Sequence, residues 1–196
     1  MSVRAQLLVM SLLAMLAGCA NVQAVHFQGT AILPVSSAPD FTLTDQQGAP
    51  WTLSHQHGTV TAIFFGYSHC ADTCPLALGK LASAIAGLGS AGKGAQIAFI
   101  TTDPQRDTSA VLGHYIRRFA GAHIIGLTGS VREITAIESS YHVWSQKIPG
   151  KRGKNTYDDA HSDVIFLIGR NGNERVLHNP NDSTASLAAD LKTLLQ

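Results

Sequence analysis

Thr59-Val60-Thr61-Ala62-Ile63-Phe64-Phe65-Gly66-Tyr67-Ser68-His69-Cys70-Ala71-Asp72-Thr73-Cys74-Pro75 runs from strand to helix, with two cysteines in the passage between them. The β-branched and aromatic residues from Thr59 to Phe65 suit a strand buried on both faces. Pro75 fits just inside a helix start, where its missing N–H has no intrahelical partner to lose, and so places Cys74 in an opening turn. Thiols at a helix N-terminus face the positive end of the dipole and ionise more readily. Four positions apart on a helix, Cys70 and Cys74 can share one face, close enough to hold a soft metal ion or to form a disulfide. Inert buried cysteines have no reason to sit in a polar turn at a helix entrance. The pair is too small for a closed four-ligand zinc site, and its spacing differs from the Cys-x-x-Cys of ordinary thioredoxin active sites.

Around this stretch the elements alternate. Phe41 to Thr44 and Trp51 to Leu53, on either side of Gln46-Gln47-Gly48, read as a hairpin. Leu76 to Leu88 is predicted as a helix, Gln96 to Thr101 as a second buried strand and Thr108 to Phe119 as a second helix. Ser130 and Glu133 make the capping box of a third helix ending near Ser139. Tyr141 to Gln146 and Val164 to Ile168 are predicted strands, the latter turning at Asn171-Gly172 into Glu174 to Leu177. Ser183 to Leu195 closes the chain as an amphipathic helix. The reading is an α/β domain of thioredoxin-like architecture: a central mixed sheet flanked by helices, with an N-terminal β-hairpin. In such a domain ligands gather in the loop at the carboxyl end of the first parallel strand, and Cys70 and Cys74 lie in that loop.

The only other cysteine is Cys19. Arg4 gives a short basic start, Leu7 to Ala17 is an apolar stretch too short to span a bilayer, and Leu16-Ala17-Gly18-Cys19 has the layout of a bacterial lipobox. The expectation is a lipoprotein signal peptide over 1–18, an acylated Cys19, a tether over 19–37 and one domain over 38–196. The protein would then be exported to the periplasmic side of a bacterium and anchored to a membrane by lipid alone. In that compartment an exposed thiol pair must be kept reduced by a partner, be oxidised within its cycle, or be covered by metal. Without Arg4 the chain balances its 13 acidic side chains with as many basic ones, which argues against a nucleic-acid partner.

A third donor has to come from elsewhere, and the chain has nine histidines. His55 and His57 flank Gln56 in an expected turn and would make at most an accidental metal site. His114, His123, His142 and His178 have no paired feature, and His69 adjoins Cys70, so its side chain points away from that neighbour. His161 differs: it ends the polar stretch Ser145 to Ala160 and opens the predicted strand Asp163 to Ile168, a position that can reach a neighbouring strand's loop.

Four segments together resemble the Sco (SenC) family of copper-handling proteins: Phe65 to Pro75, Thr102-Asp103-Pro104-Gln105-Arg106-Asp107-Thr108, Leu127-Thr128-Gly129-Ser130, and His161-Ser162 ahead of an apolar strand. Their order and separations fit from about Ala38 to Gln196. The resemblance implies a membrane-tethered, exported thioredoxin-like protein that binds copper through two cysteines and one histidine and serves assembly of the copper-A centre of cytochrome c oxidase. On the matching positions the ligands are Cys70, Cys74 and His161. Ala71 stands where the family usually has Pro. Asp72 matches the family acid between the cysteines, although helix capping explains it equally well. Arg106 and Asp107 match too, yet a surface ion pair at a helix start accounts for them about as well.

Two thiolates and an imidazole suit copper in either oxidation state, since thiolates favour Cu(I) and nitrogen helps hold Cu(II). One reading is therefore a copper metallochaperone whose partner is the copper-A subunit of the oxidase or another periplasmic copper carrier. The other is a thiol:disulfide oxidoreductase that uses Cys70 and Cys74 as a redox and disulfide-forming pair to keep the target's cysteines reduced, itself served by a thioredoxin-type thiol reductant. His161 discriminates the two, because disulfide exchange does not need it. A peroxiredoxin-like reading rests on fold alone and does not account for the paired cysteines and the late histidine.

Overall fold

The computed structural model describes residues 25–150 and 157–196. The expected signal peptide, Cys19 and the first part of the expected tether lie outside the described residues. Among the described residues no helix is long and apolar enough to cross a membrane.

The chain folds as β1 (Thr30–Ala31), β2 (Thr42–Thr44), β3 (Pro50–Thr52), β4 (Val60–Gly66), α1 (Thr73–Gly87), β5 (Ala95–Thr101), α2 (Ser109–Ile116), β6 (His123–Leu127), α3 (Val131–Ser140), β7 (Ser145–Pro149), β8 (Tyr157–His161), β9 (Ile165–Ile168), β10 (Glu174–His178) and α4 (Thr184–Leu194). The main sheet has the order β1-β10-β9-β4-β5-β6. β4, β5 and β6 are parallel, whereas β9 runs antiparallel to β4 and β10 antiparallel to β9. This is the expected thioredoxin-like mixed sheet. The β2–β3 hairpin precedes it, with the Asp45 carboxylate accepting from Gln47 N and Ala49 N in the turn.

The continuous apolar run of β4 is explained by its two covered faces. Ala62 and Phe64 join a core built with α1, α2 and α4, including Leu78, Leu81, Leu112 and Leu191. Ile63 and Phe65 point the other way, into a core with Trp51, Ile134 and Ile137 from the hairpin and α3. Alternate residues of one strand thus hold both layers together.

Several expectations are corrected. The predicted strand Tyr141 to Gln146 is absent: Tyr141 caps α3, donating its N–H to Ile137 O, and His142 takes a left-handed φ of 54°. The burial of Tyr141 and Val143 is real, but it comes from packing at a helix exit and not from a sheet face. The polar stretch from Ser145 instead forms β7 and β8, a separate two-stranded sheet with Ser145 opposite His161. Because this ribbon lies outside the main sheet, with β7 mostly exposed and β8 half-buried through polar side chains, it lacks an apolar pattern. His161 therefore ends β8 and does not open β9. β6 was not expected at all, although its residues His123 to Leu127 extend the parallel sheet. The predicted second helix is shorter than Thr108 to Phe119, because Thr108 is its N-cap and accepts from Val111 N. Finally, the later part of the expected tether is structured: Thr30 and Ala31 pair with Leu177 and Val176, and Phe27 is buried.

Candidate metal and redox centre

β4 ends at Gly66, and the chain passes through Tyr67 to Asp72 before α1 begins, so both cysteines sit at the carboxyl end of the central parallel strand. Gly66 is required there. A Cβ at this position would stand 2.7 Å from Cys74 Sγ and 2.9 Å from the Phe99 ring, so only glycine lets the strand pass behind the buried thiol. Cys74 is the second residue of α1 and is completely buried, whereas Cys70 is partly exposed in the loop. The Cys70 sulfur accepts the Cys74 backbone N–H at 3.4 Å. Asp72 occupies the N-cap position, yet its side chain makes no capping bond, so capping does not explain it.

His161 reaches this loop from β8. Its Nε2 lies 3.6 Å from Cys74 Sγ. Its Nδ1 lies 3.1 Å from Ser162 O, which places a ring proton on Nδ1 and turns Nε2 toward the thiols. Tyr67 meets the imidazole edge-on at 6.0 Å and Phe64 at 6.3 Å, holding the ring in place. The structure thus brings together the three expected site residues of the domain. Two donors bonded to one ion at about 2.3 Å (sulfur) and about 2.0 Å (nitrogen) in tetrahedral arrangement stand about 3.5 Å apart, so Cys74 and His161 already have the separation of co-ligands. Among the described residues no three His, Cys, Asp or Glu side chains are grouped closely enough to form a closed metal cage.

The two thiols are electrostatically unlike. The hydrogen bond from the Cys74 thiol, supported by one from His161 and by the backbone of Cys74 and Asp72, outweighs burial and pulls Cys70 down to about 4. That same bond to Cys70, with burial, pushes the Cys74 thiol up from its ordinary value. For His161 burial opposes the charged ring, but hydrogen bonds to Cys70 and the Ser162 carbonyl and the nearby Asp163 carboxylate prevail and raise it. Cys70 is the thiolate of the pair and Cys74 keeps its proton.

The segment Thr102 to Thr108 holds both halves of the site. Asp107 is fully buried and accepts from Ser68 N at 2.8 Å, Ser68 Oγ at 2.5 Å and Thr101 Oγ1 at 2.8 Å, fixing the cysteine loop from beneath. Thr102 Oγ1 donates to Asp159 at 2.5 Å, and the buried Asp103 accepts from Tyr157 Oη at 2.9 Å and pairs with Arg106, securing the ribbon that ends at His161. Arg106 lies flat over Tyr157, its guanidinium carbon 3.6 Å from the ring centroid. The reading of Arg106 and Asp107 as a surface pair is thereby corrected: Arg106 pairs with Asp103, and Asp107 belongs to the loop. Thr128, in the third motif, donates to the Asp107 carbonyl at 2.8 Å.

Gly66, Tyr67, Ser68 and Asp159 were missed as site residues. An isolated glycine closing a strand of large side chains is a signal of close backbone approach that was available for Gly66. The remaining histidines take no part in the trio. His178 is buried elsewhere between Asp182 and Asp190, at 2.8 and 2.9 Å. A groove of about 390 Å³ opens over the site, lined among others by Tyr67, Cys70, Asp72, Ile148, His161 and Asp163.

Comparison with known proteins gives one consistent answer. The SCO1/SenC family profile matches residues 31–196. An SCO2-like protein of Rickettsia felis is 33% identical over 133 residues, which is 68% of this chain and 64% of that protein, so the chain spans less than two thirds of that relative's length. A structure of Bradyrhizobium japonicum ScoI with copper bound superposes with a TM-score of 0.72 at 35% identity, covering 81% of this chain and 99% of that one. Yeast Sco1 with copper bound gives 0.71 at 30% identity, covering 80% and 87%.

Proposed function

The chain belongs to the SCO1/SenC family, and from that premise we propose that it is a copper metallochaperone that holds its cargo between Cys70, Cys74 and His161 and delivers it for assembly of the copper-A centre of cytochrome c oxidase. The observation carrying this reading is the approach of Cys74 Sγ to His161 Nε2 at 3.6 Å, with Nδ1 held by Ser162 O and Nε2 turned toward the thiols. Two sulfurs and one imidazole leave the ion an open position. A thiol of the receiving protein can enter there, and accessible Cys70 can be the first ligand to leave, so that copper passes by ligand exchange without being free in solution. The cargo donors need no closed fourth ligand, which would slow release. Copper analysis of the reduced protein tests this. One equivalent is expected in the wild type and loss of tight Cu(I) binding in Cys70→Ser and in Cys74→Ser; full binding in both variants would exclude a shared site.

The asymmetry of the thiols favours a second reading, a thiol:disulfide oxidoreductase. The Cys70 thiolate would attack a target disulfide, forming a mixed disulfide and releasing one target thiolate. Cys74, giving its proton to the released target thiolate, would then attack Cys70 Sγ, expelling the second target thiolate and leaving the Cys70–Cys74 disulfide. A thioredoxin-type dithiol must reduce that disulfide to reset the cycle. We also propose the lipid anchor at Cys19 after removal of residues 1–18, placing the domain on the periplasmic side of a bacterial membrane. Mass spectrometry of the mature N-terminus tests it, and an unacylated residue there would exclude it.

A further inference from the structure

The N-terminal strap is fixed to the domain in a way that orients it. Phe27 is buried, with the Arg175 guanidinium carbon 5.5 Å from its ring centroid. Gln28 N and Gly29 N donate to the Asp190 carboxylate at 2.8 and 2.9 Å, and His178 Nε2, 2.9 Å from that carboxylate, holds it in place. Gly29 is packed so closely that a Cβ would stand 2.6 Å from Leu177 O. From there the chain reverses into β1, whose register against Leu177 and Val176 leads it back toward the start of β10. Val25, before the strap, lines a shallow cavity with Arg170, Asn171 and Leu194. Arg170 bonds Gly58 O and Leu195 O, just ahead of β4 and at the end of α4. The strap therefore emerges where β4 begins, and the thiols lie where β4 ends, about 20 Å away by strand rise.

The surface at the emerging end has its own character. Val25, Leu33 and Val35 are exposed apolar residues, Leu33 at 80%. Leu33 and Val35 sit between contacts of Ile32 N to Arg175 O and of Glu174 N to Ser36 O, at the start of β10. Lys93 in the turn before β5, Arg170 in the β9–β10 turn and Lys192 in the last turn of α4 add exposed positive charge. Glu174, at the start of β10, is partly buried. At the thiol end Asp72, Asp158 and Asp163 line the groove over the site, and Lys147 of β7 is exposed beside it.

We infer that the end of the domain carrying Val25, Leu33, Lys93 and Arg170 rests on an anionic phospholipid surface, and that the Cys70–Cys74–His161 end points away from that membrane toward partners that stand off the bilayer. This rests on the proposed lipid at Cys19. However they run, the six residue steps from Cys19 to Val25 reach at most about 22 Å, less than the about 40 Å breadth expected of a domain this size, so the anchored end stays close to the headgroups. Apolar side chains and cations favour that contact.

The test uses the full chain, processed in cells and reconstituted into vesicles of phosphatidylglycerol and phosphatidylethanolamine. A photoreactive benzophenone residue is placed in separate variants at Leu33, Asn171, Asp72 or Ile148, and lipid adducts are read by mass spectrometry. Adducts are expected at Leu33 and Asn171 and not at Asp72 or Ile148. Lys93→Glu combined with Lys192→Glu should leave flotation with vesicles intact while reducing the adducts at Asn171. Adducts at Asp72 or Ile148 equal to or above those at Leu33, for instance because Lys151, Arg152 and Lys154 draw the β7–β8 ribbon to lipid, overturn the orientation alone. Floating protein without adducts at Leu33 and Asn171 does the same. Failure of the wild type to float overturns the lipid anchor and the orientation with it.

Discussion

Cys74 Sγ and His161 Nε2 lie 3.6 Å apart although 87 residues separate them in the chain. The imidazole is delivered by β8 and fixed by Ser162 O at Nδ1, while the thiol is delivered by the first turn of α1. His161→Ala removes the nitrogen and leaves both thiols and the helix start in place. Cu(I) binding by the dithiolate should largely persist, whereas Cu(II) binding should be lost, because a purely soft donor set favours the reduced ion. The Cys70–Cys74 disulfide should still form and be reduced at a comparable potential. Spectroscopic titration with each ion, beside a thiol-exchange assay, checks both. If oxidase assembly in cells fails while exchange survives, copper delivery is the needed activity; normal assembly at native copper levels would favour the reductase reading.

Gly66→Ala tests the close passage of β4 behind Cys74. The added methyl would stand 2.7 Å from the sulfur and 2.9 Å from Phe99, and neither neighbour has free space, since Cys74 and Phe99 are fully buried. Overpacking of this kind costs about 1–3 kcal/mol, so the urea midpoint should fall. Copper affinity should fall as well, because relief of the clash displaces the Cys74 ligand. Unchanged stability and affinity would show that the strand can shift without cost.

The fold was legible wherever one strand or helix face carries a pattern of its own. β4, β5 and α1 read clearly because burial on both sheet faces or on one helix stripe leaves a continuous or periodic apolar signal. The β7–β8 ribbon did not, because β7 is mostly exposed, the half-buried positions of β8 are largely polar, and the cross-strand pairing defines it. Cys70 and Cys74 announced themselves by spacing and by Pro75, but His161 stood out only weakly by position, and its selection rested on the family resemblance. Asp107 was the least legible. Nothing local distinguishes a buried carboxylate that gathers a loop 39 residues upstream from a charged residue at a helix start.

Asp107→Ala should loosen the cysteine loop. The substitution removes the buried carboxylate that accepts from Ser68 N–H, Ser68 Oγ–H and Thr101 Oγ1–H; half-buried Ser68 keeps His69 Nδ1 at 3.0 Å from its hydroxyl, whereas the donor on fully buried Thr101 is left unpaired. Leaving even one buried donor unpaired costs about 1–3 kcal/mol, so a loss of about 2 kcal/mol is expected in urea unfolding. Faster amide exchange at Ser68 to Asp72, beyond that of the rest of the sheet, would mark the loop as the seat of the effect. A uniform increase across β4 and β5 would instead mean that Asp107 supports the core as a whole.

The unlike thiols give a pH dependence with a definite sign. Cys70 is held down to about 4, chiefly by the hydrogen bond from the Cys74 thiol, so it remains thiolate well below the usual thiol range. Its alkylation by iodoacetamide should therefore be nearly constant from neutral pH down to about 5 and fall only as the pH approaches 4, whereas an ordinary thiol with a pKa of about 8.5 loses reactivity tenfold per unit over that interval. Cys74, pushed upward by the same bond and by burial, should stay unmodified throughout. Cys74→Ala removes the donor that holds Cys70 down, so the inflexion of the Cys70 profile should move upward toward neutral pH. A profile unchanged by that variant would assign the low value to His161 and the start of α1 in place of the partner thiol.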